Sequence, residues 1–119
     1  MHVKRIVPAG RERSLNPIFR GAVDYQTAVG EEVSRDLRLS EVHFQDGAVN
    51  KWHRHSCDQI LVITEGEGTV ADETEERSVT VGDVAFIPAN TKHWHGAKPG
   101  RDMTHWSILA NGTTTIVET

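Results

Sequence analysis

One cysteine, Cys57, stands alone among 119 residues. An internal disulfide is therefore excluded, and that cysteine usage fits a reducing compartment. No apolar run approaches the roughly 18 residues that a membrane-spanning helix needs, and residues 1–10 lack the apolar stretch of a secretory leader. The expectation is a cytoplasmic protein with no membrane partner. Basic residues form no stripe: 13 Lys and Arg against 17 Asp and Glu leave a net charge of -4. With no row of cations to neutralise phosphates, nucleic acid is not an expected partner. Helix signals are nearly absent, and so are repeats, low-complexity tracts and linkers. At this length the chain is expected to form one domain over 1–119, with an N-terminal arm at about 1–35 and a barrel at about 36–110.

What the sequence does contain is a series of short apolar segments cut by turn residues, the pattern of an all-β sandwich or barrel. Strands are expected at 36–44, 50–55, 59–64, 68–71, 77–81, 84–87, 93–97 and 103–110. The stretches "QDG", "EGEG", "VGD", "PAN" and "KPG" between them have the Gly, Pro and Asx chemistry of turns. In the N-terminal arm "HVKRIV" and "FRGAV" are candidate strands, and "GRERSLNP" reads as a loop.

Histidine is the unusual residue. In a strand, residues two apart share a face, so His53 and His55 project together, as do His93 and His95, and His105 adds a fifth on another strand. Gln59 opens the next apolar run and can return its side chain to the same point. A buried neutral polar group costs roughly 1–3 kcal/mol unless it is bonded, so such a cluster needs a shared partner. A divalent metal is the natural one, because imidazole suits the first-row metals.

Two motifs then resemble a known family. Gly47-x5-His53-x-His55-x3-Gln59-x6-Gly66 looks like the first cupin motif, and Gly82-x5-Pro88-x-Asn90-x2-His93-x3-Ala97 looks like the second, with 15 residues between them. The resemblance implies an all-β double-stranded β-helix (a jelly-roll, cupin barrel) holding one divalent metal through His53, His55, Gln59 and His93. Gln59 stands where most cupins have Glu, Asn90 where the second motif has Gly, and Ala97 where it ends in Asn. Asn tolerates the left-handed backbone that Gly usually supplies. The amide at 59 has a larger consequence. It leaves a divalent site at net +2, a stronger Lewis acid, and removes a carboxylate that would serve dioxygenase-type cupins as a base.

The segments "HRHSCDQILVITEGEG" and "KHWHGAKPGRDMTHWSI" are similar to small bacterial cupins with His-x-His-x3-Gln ligands. That group includes the manganese-dependent cupin hydroxynitrile lyases and the carboxymuconolactone-decarboxylase-like cupins. The likeness runs from about Ile18 to Leu109. It implies manganese as the first expected metal, with iron, nickel, cobalt or zinc as alternatives, and it implies pocket and proton-transfer roles for His95 and His105. Leu109 departs from it, because the lyase-like sequences carry a pocket Gln there.

The expected activity is that of a metal-dependent enzyme acting on a small hydroxy or carbonyl compound by Lewis-acid and histidine acid/base chemistry, lyase- or isomerase-like. A dioxygenase and a non-catalytic small-molecule-binding cupin are the alternatives. Ser40, Val42, Phe44, Leu61, Ile87 and Leu109 are the expected pocket residues. Trp52, Trp94 and Trp106 each neighbour a pocket histidine, so alternation sends them to the opposite face. That implies a covered outer surface, and a homodimer is expected. His43 and His2 read as surface residues, Cys57 as a bystander, and "ADETEER" as a solvated hairpin tip.

Overall fold

The computed structural model describes residues 1–118, and they form strands, turns and one short 3-10 turn at Pro8–Gly10. The strands in chain order are β1 (Glu12–Arg13), β2 (Phe19–Arg20), β3 (Val23–Val29), β4 (Leu37–Phe44), β5 (Val49–Asn50), β6 (His53–His55) and β7 (Gln59–Asp72). They continue with β8 (Glu76–Thr80), β9 (Val84–Ile87), β10 (His93–Ala97), β11 (Met103–Ala110) and β12 (Thr114–Ile116). All pairings are antiparallel. One sheet runs β1-β3-β4-β11-β7-β9; the other runs β8-β7-β10-β5-β2, with β6 on β10 and β12 on β6. The long strand β7 belongs to both, so the two sheets curl into one barrel.

Several sequence-based expectations change. The segments at 59–64 and 68–71 are one 14-residue strand, and "EGEG" is its bend, not a turn. Gly66 takes φ 75° there, and a Cβ would run into the Asp102 carbonyl. Past that bend β7 exchanges β9 and β11 for β8 and β10. The segment at 50–55 divides into β5 and β6 because its backbone partners change midway. Lys51 N–H donates to the Ile18 carbonyl at 2.8 Å, and the Trp52 carbonyl accepts from Val117 at 2.9 Å. In the arm, Glu12–Arg13 form a strand inside the expected loop, "HVKRIV" joins no ladder, and Gly21 (φ 91°) breaks "FRGAV" into β2 and β3. β12 adds a strand beyond those expected. Asn90 does adopt the left-handed backbone, at φ 66°.

The apolar core gathers Val23, Phe44, Ala48, Ile63, Ala97 and Met103. The inward face of β11 runs from Met103 through His105 and Ser107 to Leu109, and that of β4 runs from Phe44 through Val42 to Ser40. The core therefore floors the barrel, and the histidines stand above it.

Alternation puts a second apolar set on the outer face of the first sheet. The registers align Phe86, Ile60, Ile108 and Leu39 in one row, and Val84, Val62, Trp106 and Glu41 in the next. Glu41 is covered by the N-terminal segment: the Arg11 guanidinium donates to it at 2.8 Å and Gln26 at 2.9 Å. Burial pushes the Glu41 pKa up, but Arg11 and Gln26 outweigh it and hold the carboxyl below its ordinary value.

Candidate metal centre

On β6 the burial pattern is buried, exposed, buried, so His53 and His55 face inwards and Arg54 faces out. On β10 His93 and His95 are buried with Trp94 half-buried between them. His53 is paired directly across from His93, which brings their ring centroids to 4.2 Å, and His55 lies 4.8 Å from His53. One ring nitrogen from each of His53, His55 and His93 lies within 4.8 Å of the others.

Hydrogen bonds behind the rings set which nitrogen faces forward. His53 Nδ1 donates to the Lys51 carbonyl at 2.7 Å, and His93 Nδ1 donates to the Thr91 carbonyl at 2.8 Å. A carbonyl only accepts, so each Nδ1 carries the proton and each Nε2 presents a lone pair. His55 Nδ1 is bonded to the Thr114 hydroxyl at 2.9 Å. Gln59 Nε2 donates to Ser107 Oγ at 2.9 Å, which leaves its carbonyl oxygen free. The Nε2 atoms of His55 and His93 and the Oε1 of Gln59 are buried without a partner. Each such orphan costs about 1–3 kcal/mol, and a divalent cation would satisfy all of them. His53, His55, Gln59 and His93 thus have the donor chemistry and burial of a metal site, with neutral ligands throughout.

Electrostatics agree with that. Burial, reinforced by His93, pushes His53 down to about 3 and His55 to about 4, and burial also lowers His93. The rings are therefore neutral near neutrality, as metal ligation requires. His95 and His105 are also buried, and their rings meet through Nδ1 of His95 and Nε2 of His105 at 3.2 Å. Burial, with His105 close by, pushes His95 well below its ordinary value, and burial takes His105 to about 4.

A cavity of about 300 Å³ opens in front of these groups. Val42, Phe44 and Leu109 line it as expected, together with His53, His55, Gln59, His95 and His105. Ser40, Leu61 and Ile87 do not. Ser40 borders a neighbouring depression that shares Ser107 and Leu109 with the cavity. Leu61 is wholly buried, and Ile87 lines a separate groove beside β8 and β9, where His93 also shows. Alternation identifies the inward face of a strand but not the depth at which a residue meets open space. Asn16, Ile18, Phe19, Asn50, Ser107, Thr114 and Ile116 complete the wall and were not anticipated. Ser107 shares the face of His105, so alternation could have found it; the others reach the site by long-range pairing.

The remaining residues take minor places. The Cys57 thiol donates to the Ala110 carbonyl at 3.4 Å and lies outside the cavity wall. His43 is half-buried and bonded to the Thr104 hydroxyl at 2.7 Å. The Trp52 ring faces the Lys92 ammonium at 5.4 Å. At the "ADETEER" tip, Asp72 accepts hydrogen bonds from the exposed Thr74 and Glu75 backbone.

The pattern of the cupin domain matches residues 40–108. The chain belongs to the cupin family. Among cupins and their relatives, it is 40% identical over 111 residues to the (R)-mandelonitrile lyase of Granulicella tundricola, covering 91% of this chain and 83% of that protein. It is 36% identical over 61 residues to the pectin degradation protein KdgF of Dickeya dadantii, half of this chain and 56% of that one. A solved cupin-like protein from Thermotoga maritima superposes with a TM-score of 0.84 at 30% identity, over 90% of this chain and 84% of that one. These likenesses mark the chain as an enzymatic cupin.

Proposed function

We propose that this cupin is a metal-dependent lyase acting on a small α-hydroxy compound, a hydroxynitrile being the first candidate. One observation supports this above the others: two buried, neutral, mutually bonded histidines that are not needed as ligands stand beside a buried set of neutral donors. A purely binding site has no evident use for that pair, and a carboxylate base for oxygen chemistry is missing at Gln59. Likeness to a mandelonitrile lyase supports the substrate class.

A divalent metal held by His53, His55, Gln59 and His93, manganese by preference, supplies Lewis acidity that makes a substrate hydroxyl more acidic. The chain's own groups do the rest. Ser107 fixes the Gln59 amide so that its oxygen faces the site. His95 and His105, neutral near pH 7, take up the hydroxyl proton and share it across their 3.2 Å contact. Returned to the departing anion, that proton completes the cleavage of a hydroxynitrile into a carbonyl compound and hydrogen cyanide. Val42, Phe44 and Leu109 exclude water, and a volume of about 300 Å³ admits only a small molecule.

The assembly belongs to the same proposal. A second copy covers the outer apolar face, because a band of uncharged side chains is complementary to itself. Among the described residues no helix is long and apolar enough to cross a membrane; the proposed site of action is the cytoplasm. The test is release of cyanide from mandelonitrile by manganese-loaded protein. The expected result is turnover that is lost in His105→Ala while bound metal stays unchanged. Cyanide release at full rate in the metal-free protein or in that variant would contradict the mechanism.

A further inference from the structure

Two of the three clustered histidines find their backing partner close by in sequence. His53 Nδ1 meets the Lys51 carbonyl and His93 Nδ1 the Thr91 carbonyl, each two residues earlier in the chain. His55 has no such support. The residue two before it is His53, itself in the cluster, and its own Nδ1 is bonded to the Thr114 hydroxyl at 2.9 Å, 59 positions further on. One ligand of the metal centre is therefore held from behind by the C-terminal strand β12.

The register explains the reach. β12 sets Thr114 opposite His55, Thr115 opposite Arg54 and Ile116 opposite His53. Flanking this run, Ser56 N–H donates to the Thr113 carbonyl and Val117 N–H to the Trp52 carbonyl, both at 2.9 Å. Bonded and unbonded pairs alternate in an antiparallel ladder, so His55–Thr114 and His53–Ile116 are unbonded pairs, in which side chains come closest. Thr114 and Ile116 turn in with the two histidines and line the cavity, although all three residues of β12 are exposed. Just beyond the strand, Glu118 Oε2 accepts the Trp52 N–H at 2.9 Å, and the carboxylate pairs with the Arg20 guanidinium. β6 meets β10 at one register position, His53 against His93, so β12 is its longer ladder.

We propose that Thr114 is a positioning residue for His55, and that β12 is a clamp whose docking is coupled to occupation of the metal centre. The proposal rests on the metal-centre reading and not on the lyase chemistry. The hydroxyl fixes the rotation of the His55 ring and so aims its unpartnered Nε2 into the cluster. When β12 lifts away, that bond is lost, and the ring is free to turn off the site. A bound ion that favours the docked strand is held more firmly by it in equal measure. The C-terminal strand thus sets how tightly the centre keeps its ion.

Thr114→Val keeps the branched shape and removes the hydroxyl, whereas Thr114→Ser keeps the hydroxyl. Zinc alone, titrated against a competing chelator, reads affinity without reference to turnover. The zinc Kd is expected to rise about tenfold or more in Thr114→Val and to stay within about threefold of the parent in Thr114→Ser. The metal-free proteins should unfold at closely similar temperatures, because the position is exposed. Hydrogen exchange on the parent reads the clamp without any variant: zinc is expected to slow the Val117 amide about tenfold or more. A parental zinc Kd in Thr114→Val, or an equal loss in Thr114→Ser, would overturn the role of the hydroxyl. Val117 exchange indifferent to bound zinc would overturn the clamp. A parent that binds no zinc would instead refute the metal centre, and the proposal with it.

Discussion

His105 shows what a single buried residue does to both chemistry and stability. It is 1% exposed, and burial takes its pKa to about 4, against an ordinary 6.5. Between those two values the unfolded chain binds a proton at this position and the folded chain does not. Acid therefore favours unfolding: stability is lost as pH falls through 6.5 and the loss levels off below about 4. At pH 5 this one ring is worth about 2 kcal/mol, at 1.36 kcal/mol per unit. Metal-free parent protein should lose about that much more stability than His105→Gln between pH 7 and pH 5, by urea unfolding. Equal losses would mean that the ring is solvated. At this scale much of the site was legible, because alternation alone put His53, His55, His93, His95 and His105 on inward faces, and all five are buried. Asn50 was not legible. It lines the cavity and accepts the backbone N–H of His95 on β10, 45 positions away in sequence, and one residue's chemistry does not announce such a partner.

At the scale of elements, β7 has the greatest structural consequence. It carries Gln59 at one end and the acidic hairpin at the other, and it is the strand common to both sheets. Its bend depends on Gly66, whose φ of 75° and contact with the Asp102 carbonyl leave no place for a side chain. Gly66→Ala should destabilise the protein by about 3 kcal/mol or more. A thermal midpoint within a degree or two of the parent would show that the bend tolerates a Cβ. The same bend explains why the sequence misleads here. "EGEG" has the composition of a hairpin turn, and nothing local distinguishes a strand that reverses from one that changes sheets. The short strands β1, β2 and β12 were illegible for a related reason. They are two or three residues long, too short for any period to register, and exist because a neighbouring strand offers unpaired backbone.

At the scale of the whole molecule, the barrel has two apolar surfaces: the inner one packs around Phe44, Ile63 and Met103 beneath the cavity, and the outer one is uncovered. Phe86 is 59% exposed and Val84 65%, and both stand in rows with Ile60, Val62, Trp106 and Ile108. Contiguous patches of this kind mark association sites on soluble proteins. Sedimentation equilibrium at micromolar concentration should find two chains per particle, and Phe86→Glu should shift the population to one while leaving bound metal in place. A parent protein that stays monomeric across that range would remove the second copy from the proposal.

Everything proposed about chemistry depends on the buried nitrogens of His53, His55 and His93 and on the Gln59 oxygen holding a metal. The most direct measurement is metal content per chain, by plasma mass spectrometry, on untagged protein after extensive dialysis. Close to one transition-metal ion per chain is expected in the parent, with nearly none in a folded His53→Ala/His93→Ala double variant. A parent that is empty and also refuses added manganese, iron, cobalt, nickel and zinc would contradict the metal centre, and so would a double variant that retained its ion.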